Sequence, residues 1–130
     1  MASGVRAILD TSVVLSTGLA PLEGELAISS ATLAELHFGV LVARDPAVRA
    51  ERLRRLSVLQ RTFDALPIDD DVAASYGMIA AAVVSAGRTP RGRVMDLLIA
   101  ATAHANHARL YTRNADDFAG IESLVDIVAV

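Results

Sequence analysis

The sequence predicts an α/β fold: a three-layer α/β/α domain with a central, mostly parallel sheet of four to five strands. Short apolar runs such as "VRAILD" at 5–10 and "LAISS" at 26–30 alternate with longer stretches of helical period. The strand candidates are apolar on both sides, as strands are when helices cover both faces of a parallel sheet. With 130 residues, 53% of them apolar and 4% aromatic, the chain suits one domain over 1–130 with a core of Ala, Val, Leu and Ile.

Element by element, Val5, Ala7, Ile8 and Leu9 make a first buried strand that ends at Asp10, and 26–30 makes a second. The stretch 31–42 has helical period, with Leu33, Leu36, His37, Val40 and Leu41 on one stripe. "RDP" at 44–46 breaks it, and 47–63 resumes as a helix with Leu53, Leu56, Leu59 and Phe63 leaning one way. "ALPI" (65–68) reads as a short strand. "DDD" (69–71) then supplies an N-cap and first-turn carboxylates for a helix bearing Val72, Tyr76, Ile79 and Val83, with Gly87 fit to close it. "GRTPRGR" (87–93) is a loop, and 95–107 is a helix apolar on nearly all sides and therefore buried. A strand at 108–112, a turn or short helix at 113–120 and a last strand at 124–130 complete the pattern.

Composition excludes several chemistries. The chain has no Cys, hence no disulfides and no thiolate metal site. All twelve basic residues are Arg, the better side chain for bidentate phosphate contacts. A net charge of −3 does not advertise a nucleic-acid binder, although a local patch can oppose the global sign. The start "MASGVRAILD" lacks the order of a signal peptide, and no run reaches the ~18 apolar residues of a membrane span. The expected location is the cytoplasm. A mean hydropathy of +0.44 is high for a lone monomer and predicts that a second copy and a partner cover part of the surface.

Ligands of open α/β sheets sit at the carboxyl edge of the strands, and the helices that follow those strands begin at that edge. Asp10 ends the first strand, Glu35 lies in the first turns of the next helix, and Asp96 opens the buried helix. Asn114, Asp116 and Asp117 follow the strand at 108–112. Carboxylates gathered at one edge repel each other, and two remedies exist: an acid/base site with raised pKa values, or a divalent cation. An all-oxygen cluster without Cys or paired His suits Mg²⁺ or Mn²⁺. Phosphodiester hydrolysis by metal-activated water is the usual chemistry of such a site, and the Thr11 and Ser12 hydroxyls can donate to Asp10 or to a phosphate.

"ILDTSVV", "SSATLAEL", "MDLLIAATAHA" and "LYTRNADDF", in this order and spacing over essentially the whole chain, resemble the PIN-domain ribonucleases, most closely the VapC toxins of bacterial toxin–antitoxin pairs. Carried over, the family's acids match Asp10, Glu35 and Asp96; its T-x-N-x-x-D-F pattern favours Asp117 as the fourth, with Asn114 as a supporting or substrate contact. The resemblance implies a Mg²⁺- or Mn²⁺-dependent endoribonuclease that stops translation by cutting tRNA, rRNA or mRNA. It also implies a homodimer and a VapB-type antitoxin, together a heterotetramer or larger, with the antitoxin's C-terminal segment lying across the helices at 31–63 and reaching the active site.

Arg88, Arg91, Arg93 and Arg113 flank this site and suit an RNA strand, while Arg49, Arg52, Arg54, Arg55 and Arg61 on one helix read as a solvated or partner-facing surface. His37 reads as a core or interface residue; His104 and His107, at the far end of the helix from Asp96, read as helix-dipole partners. An aspartate-nucleophile phosphatase or a phosphoacceptor module is the competing class. Ser12 stands where such a phosphatase wants its second carboxylate, and no Lys exists to hold the phosphoryl group. A non-catalytic PIN-like scaffold is the third reading.

Overall fold

A computed structural model describes residues 5–130. Strands β1 (Arg6–Leu9), β2 (Glu25–Ser29), β3 (Asp64–Leu66), β4 (Arg109–Thr112) and β5 (Ile127–Ala129) form one sheet. Its order is β3-β2-β1-β4-β5, and every pairing is parallel. The helices are α1 (Thr11–Val14), α2 (Ser30–Val42), α3 (Pro46–Thr62), α4 (Asp70–Ser85) and α5 (Val94–Ala105), followed by a 3₁₀ turn at Ala115–Phe118. The predicted architecture is the observed one.

The sheet is buried on both faces because alternate residues of each strand serve different layers. Ile8 and Leu110 point into a core shared with Val72, Ile79 and Val83 of α4, Leu97 and Ile99 of α5, and Phe118. Ala7, Leu9, Ile28 and Tyr111 face the other way, onto Val13, Leu33 and Phe63. The starts of α2, α3 and α4 are capped by short polar side chains, whereas α5 starts after Arg93 with no side-chain cap. Ser29 Oγ accepts from Ala31 N, Asp45 from Ala47 N ahead of Pro46, and Asp69 from Val72 N. Gly87 takes φ +78° just past α4, a conformation that favours glycine.

Strand order fixes where a ligand can sit. From β1 the chain moves outward through β2 to β3, then returns across the sheet to β4 and β5 on the other side. The reversal lies between β1 and β4, so the crevice beyond their carboxyl ends is the expected binding place. Leu9 pairs with Tyr111 in the register, which sets Asp10 beside Thr112 at that point.

Four local expectations differ from the structure. Thr11–Val14 forms α1, a single turn that poor helix formers did not announce and that Asp10 caps through Thr11 N. The last strand is confined to Ile127–Ala129; Leu124 and Val125 are apolar because a turn presses them onto the α4–α5 core. On α2 the buried residues are Ala31, Thr32 and Val40, whereas Leu41 is 72% exposed and His37 is also exposed. Leu53, expected to lean inward on α3, is exposed too, leaving Leu56 as that helix's buried residue. No helix among the described residues is long and apolar enough to cross a membrane.

Candidate active site

Asp10 is only 5% exposed, and its burial is compensated by three donors. Oδ1 accepts from Thr11 N at 2.9 Å, while Oδ2 accepts from Ser12 Oγ and from Thr112 Oγ1, each at 2.8 Å. The two hydroxyls are themselves held. Ser12 Oγ accepts from Arg113 N at 3.2 Å, and Thr112 Oγ1 accepts from Asn114 N at 3.0 Å. The loop after β4 is thereby tied to the carboxylate after β1. Thr112 is the functional residue that sequence reasoning passed over: it opens the T-x-N pattern, but inside a buried strand it reads as one more β-branched residue.

Glu35 lies on α2, half-buried, and Thr11 Oγ1 donates to its Oε1 at 2.7 Å. Thr11 has one proton, so the 3.0 Å contact between its Oγ1 and Thr32 Oγ1 is donated by Thr32. Expectation and structure differ here, because the Thr11 hydroxyl serves Glu35 and only its backbone N–H serves Asp10.

Asp96 stands in the first turn of α5, half-buried. Its carboxyl is pushed above the ordinary range, first by desolvation, then by the charges of Asp10, Asp117 and Glu35, with Arg93 opposing. Three different segments therefore direct their charge at one group. Among the described residues no donor hydrogen-bonds the Asp96 oxygens, in contrast to those of Asp10. Glu35, Gly92, Val94, Met95 and Asp96 line an open cavity of about 370 Å³.

Asp117, on the 3₁₀ turn, is held from behind: Arg93 Nη1 donates to its carbonyl at 2.8 Å and stands 3.5 Å from its Oδ1. Arg88 likewise donates to the carbonyls of Asp116 and Ala119. Two of the arginines expected to meet a substrate strand are thus engaged with the 115–119 turn, while Arg91 and Arg113 remain exposed. Asn114 and Asp116 are exposed as well, and the Asn114 side chain makes no capping bond to the turn it precedes. His104 is remote from the acids and, beyond its place in the last turn of α5, bonds Ser75 through Nδ1 at 2.7 Å.

The donor set is all oxygen, suited to a hard divalent cation. Among the described residues no three such groups are already drawn together tightly enough to close around an ion unaided. A cation that keeps several waters and binds one or two carboxylates directly does not require such closure.

Comparison with known proteins places the chain in a family. The PIN domain family model matches residues 7–123. Ribonuclease VapC5 of Mycobacterium tuberculosis is 34% identical over 126 residues, covering 92% of this chain and 90% of that protein. Ribonuclease VapC8 of the same species is 37% identical over 100 residues, covering 74% of this chain and 88% of that protein. The crystal structure of VapBC-5 from Mycobacterium tuberculosis, a member of the VapBC family of toxin–antitoxin systems, superposes with a TM-score of 0.82 at 33% identity over 97% of this chain and 98% of that one. With a family model spanning all but the ends of the framework and relatives matched along most of their lengths, this chain belongs to the PIN-domain family and, within it, to the VapC group.

Proposed function

We propose that this protein is a VapC-type endoribonuclease toxin: a single PIN domain that cuts RNA with the help of Mg²⁺ or Mn²⁺, inhibits translation and is neutralised by a VapB-type antitoxin. The observation that carries the chemistry is Asp96, a carboxylate without a hydrogen-bond donor, facing Asp10, Glu35 and Asp117 at the crevice between β1 and β4. Relatives named as ribonucleases and a matched toxin–antitoxin structure support the substrate class and the partner.

The four acids divide the work by how each is held. Asp10 is fixed by three donors and offers a rigid anionic edge. Glu35 is oriented by Thr11, and Asp117 by Arg93. Asp96 supplies the free oxygens at the centre. Asp10 and Asp96 would hold the cation directly, with Glu35 and Asp117 reached directly or through its waters. When bound, such a cation offsets the repulsion among the acids, activates water and stabilises the leaving oxygen of a phosphodiester. Arg91 and Arg113, exposed beside the acids, are placed for phosphate contacts.

An antitoxin segment lying across α2 and α3 would cover the exposed Phe38, Leu41 and Leu53. A second copy of the chain would cover further apolar surface, such as Met78 and Val84 of α4.

Cleavage of labelled total RNA tests the proposal, with Mg²⁺, Mn²⁺ or excess chelator, beside Asp10→Asn and Asp96→Asn. Discrete fragments that need the metal and vanish in both variants are expected. Absence of cleavage in every condition removes the assigned substrate, and absence of metal binding removes the site.

A further inference from the structure

The cations that a ribonuclease needs for its substrate are not all where the flanking loops put them. Arg88 and Arg93 are occupied by the 115–119 turn. Besides the exposed Arg91 and Arg113, positive charge without a carboxylate at pairing distance lies on α3, where Arg52 and Arg55 line a cavity together with Glu35. This cavity, of about 440 Å³, opens between α2, α3 and the end of α1. That volume is within the roughly 300–1,000 Å³ of small-molecule sites. Its wall is apolar through Leu36, Leu56 and Leu59, and it shares Thr11 and Glu35 with the acid cluster.

Two arginines of α3 close the cavity. Arg52 Nη1 donates to Gly39 O at 2.7 Å and Arg55 Nη2 to Leu15 O at 3.3 Å, both carbonyls of lining residues. Each guanidinium is thus tethered by a neutral acceptor. The ion pairs among the described residues involve Arg54, Arg93 and Arg109, so neither Arg52 nor Arg55 meets a carboxylate at pairing distance. A guanidinium anchored through one N–H keeps its charge and presents its other donors in a fixed plane.

Resting on the ribonuclease reading above, we infer that this cavity is a nucleotide subsite, which receives an RNA residue next to the cleaved bond. Single-stranded RNA is recognised by splaying bases onto apolar, aromatic or guanidinium surfaces while cations hold phosphate. The leucines and the arginine planes suit the base, and the free donors of Arg52 and Arg55 suit a flanking phosphate. Glu35 joins the two ends, so a strand seated in the cavity runs directly onto the acids. The arginines of α3 then differ in role: Arg54 is paired with Glu51 and contributes nothing, whereas Arg52 and Arg55 bind substrate. An antitoxin segment crossing α2 and α3 would compete for the same space, so inhibition would displace RNA as well as mask the acids.

The test is fluorescence anisotropy of a labelled single-stranded RNA ten-mer of mixed sequence, bound to the Asp10→Asn protein in chelator at several salt concentrations. Adding Arg52→Gln and Arg55→Gln together is expected to weaken binding at least about tenfold and to make the slope of log K against log[salt] shallower by roughly 1–1.5, as loss of two phosphate contacts requires. Arg54→Gln is expected to change neither. In the active background, the Arg52 and Arg55 substitutions should raise KM more than they lower kcat. Unchanged affinity and slope in the double variant would overturn the subsite while leaving wild-type RNA cleavage, and hence the proposed activity, standing. The subsite is likewise overturned if the double variant loses only binding of an acidic, leucine-containing peptide. A wild-type protein that cuts no RNA would remove the ribonuclease reading as well.

Discussion

Thr112 Oγ1 donates to Asp10 Oδ2 at 2.8 Å across 102 positions of sequence, joining the carboxyl ends of adjacent parallel strands. Both residues are buried, and the same hydroxyl accepts from Asn114 N. Removing it leaves a buried carboxylate short of one donor and an amide short of its acceptor. Thr112→Val, which keeps the shape, is therefore expected to cost about 2 kcal/mol, or roughly 5–10 °C in Tm for a chain of this size. Thr112→Ser should retain most of that. Thermal unfolding in chelator is the measurement, and a Val variant that melts like wild type would show that Ser12 and Thr11 suffice.

Asp96 gives a dependence on pH whose sign is opposite to ordinary acid denaturation. Its carboxyl is raised, chiefly by desolvation and then by Asp10, Asp117 and Glu35, so folding favours the uncharged form. The stability it lends is present below its unfolded pKa of about 3.9 and is lost as pH climbs through the higher folded value. Asp96→Asn never acquires the charge. In chelator, its Tm is expected to match wild type near pH 4 and to exceed it by about 2 °C or more at neutral pH. Millimolar Mg²⁺ should raise the wild-type Tm, because a ligand that binds only the folded state stabilises it; the variant should respond little. A gap that closes with rising pH, or an equal response to Mg²⁺, contradicts the reading.

The framework and the positions of Asp10, Glu35 and Asp96 on it were legible because each depends on a local pattern, whereas Asp117 rested on the motif resemblance alone. Buried parallel strands are continuous apolar runs, and Asp10, Glu35 and Asp96 fall close to a strand end or helix start. Contacts between distant segments left no such mark. Nothing in "LYT" tells that Thr112 donates to Asp10, and nothing in "GRV" tells that Arg93 turns back to Asp117. The apolar stripe of α2 misled for a related reason. Leu41 has the right period, yet it is 72% exposed while its neighbour Val40 is buried. Arg52 and Arg55 are a similar case, since helical spacing groups them with Arg54 and only α2 and α1 distinguish them.

Arg93 is expected to act through Asp117 and Asp96 more than through substrate. It donates to the Asp117 carbonyl, faces that residue's carboxylate, and opposes the upward shift of Asp96. Arg93→Met keeps the packing stem and removes both effects. Displacing a positioned carboxylate by about 1 Å can reduce rate on the order of 100-fold, so kcat should fall by roughly 10- to 100-fold. Without the opposing charge the Asp96 carboxyl of the metal-free protein climbs further, so the loss of stability with rising pH, followed as Tm in chelator, should shift to higher pH. A drop in RNA affinity alone, with kcat and that pH dependence unmoved, would return Arg93 to the role of a phosphate contact.

The fourth acid can be decided by a pair of substitutions. Asp117 contributes charge at Asp96 and is held by Arg93, whereas Asn114 is exposed and its side chain caps nothing. Asp117→Asn preserves size and the backbone bond to Arg93 but removes the charge. It is expected to lower metal-dependent cleavage by roughly 10- to 1,000-fold, the range over which loss of one positioned electrostatic group is felt, and to weaken Mg²⁺-induced thermal stabilisation. Asn114→Ala should change cleavage less than about threefold, since it removes no group in contact with the cluster. Asp116→Asn, on the exposed side of the same turn, should behave like Asn114→Ala. If Asp117→Asn retains wild-type turnover and Asn114→Ala loses it, the site closes through the loop directly after β4, and the 3₁₀ turn serves only to hold Arg88 and Arg93.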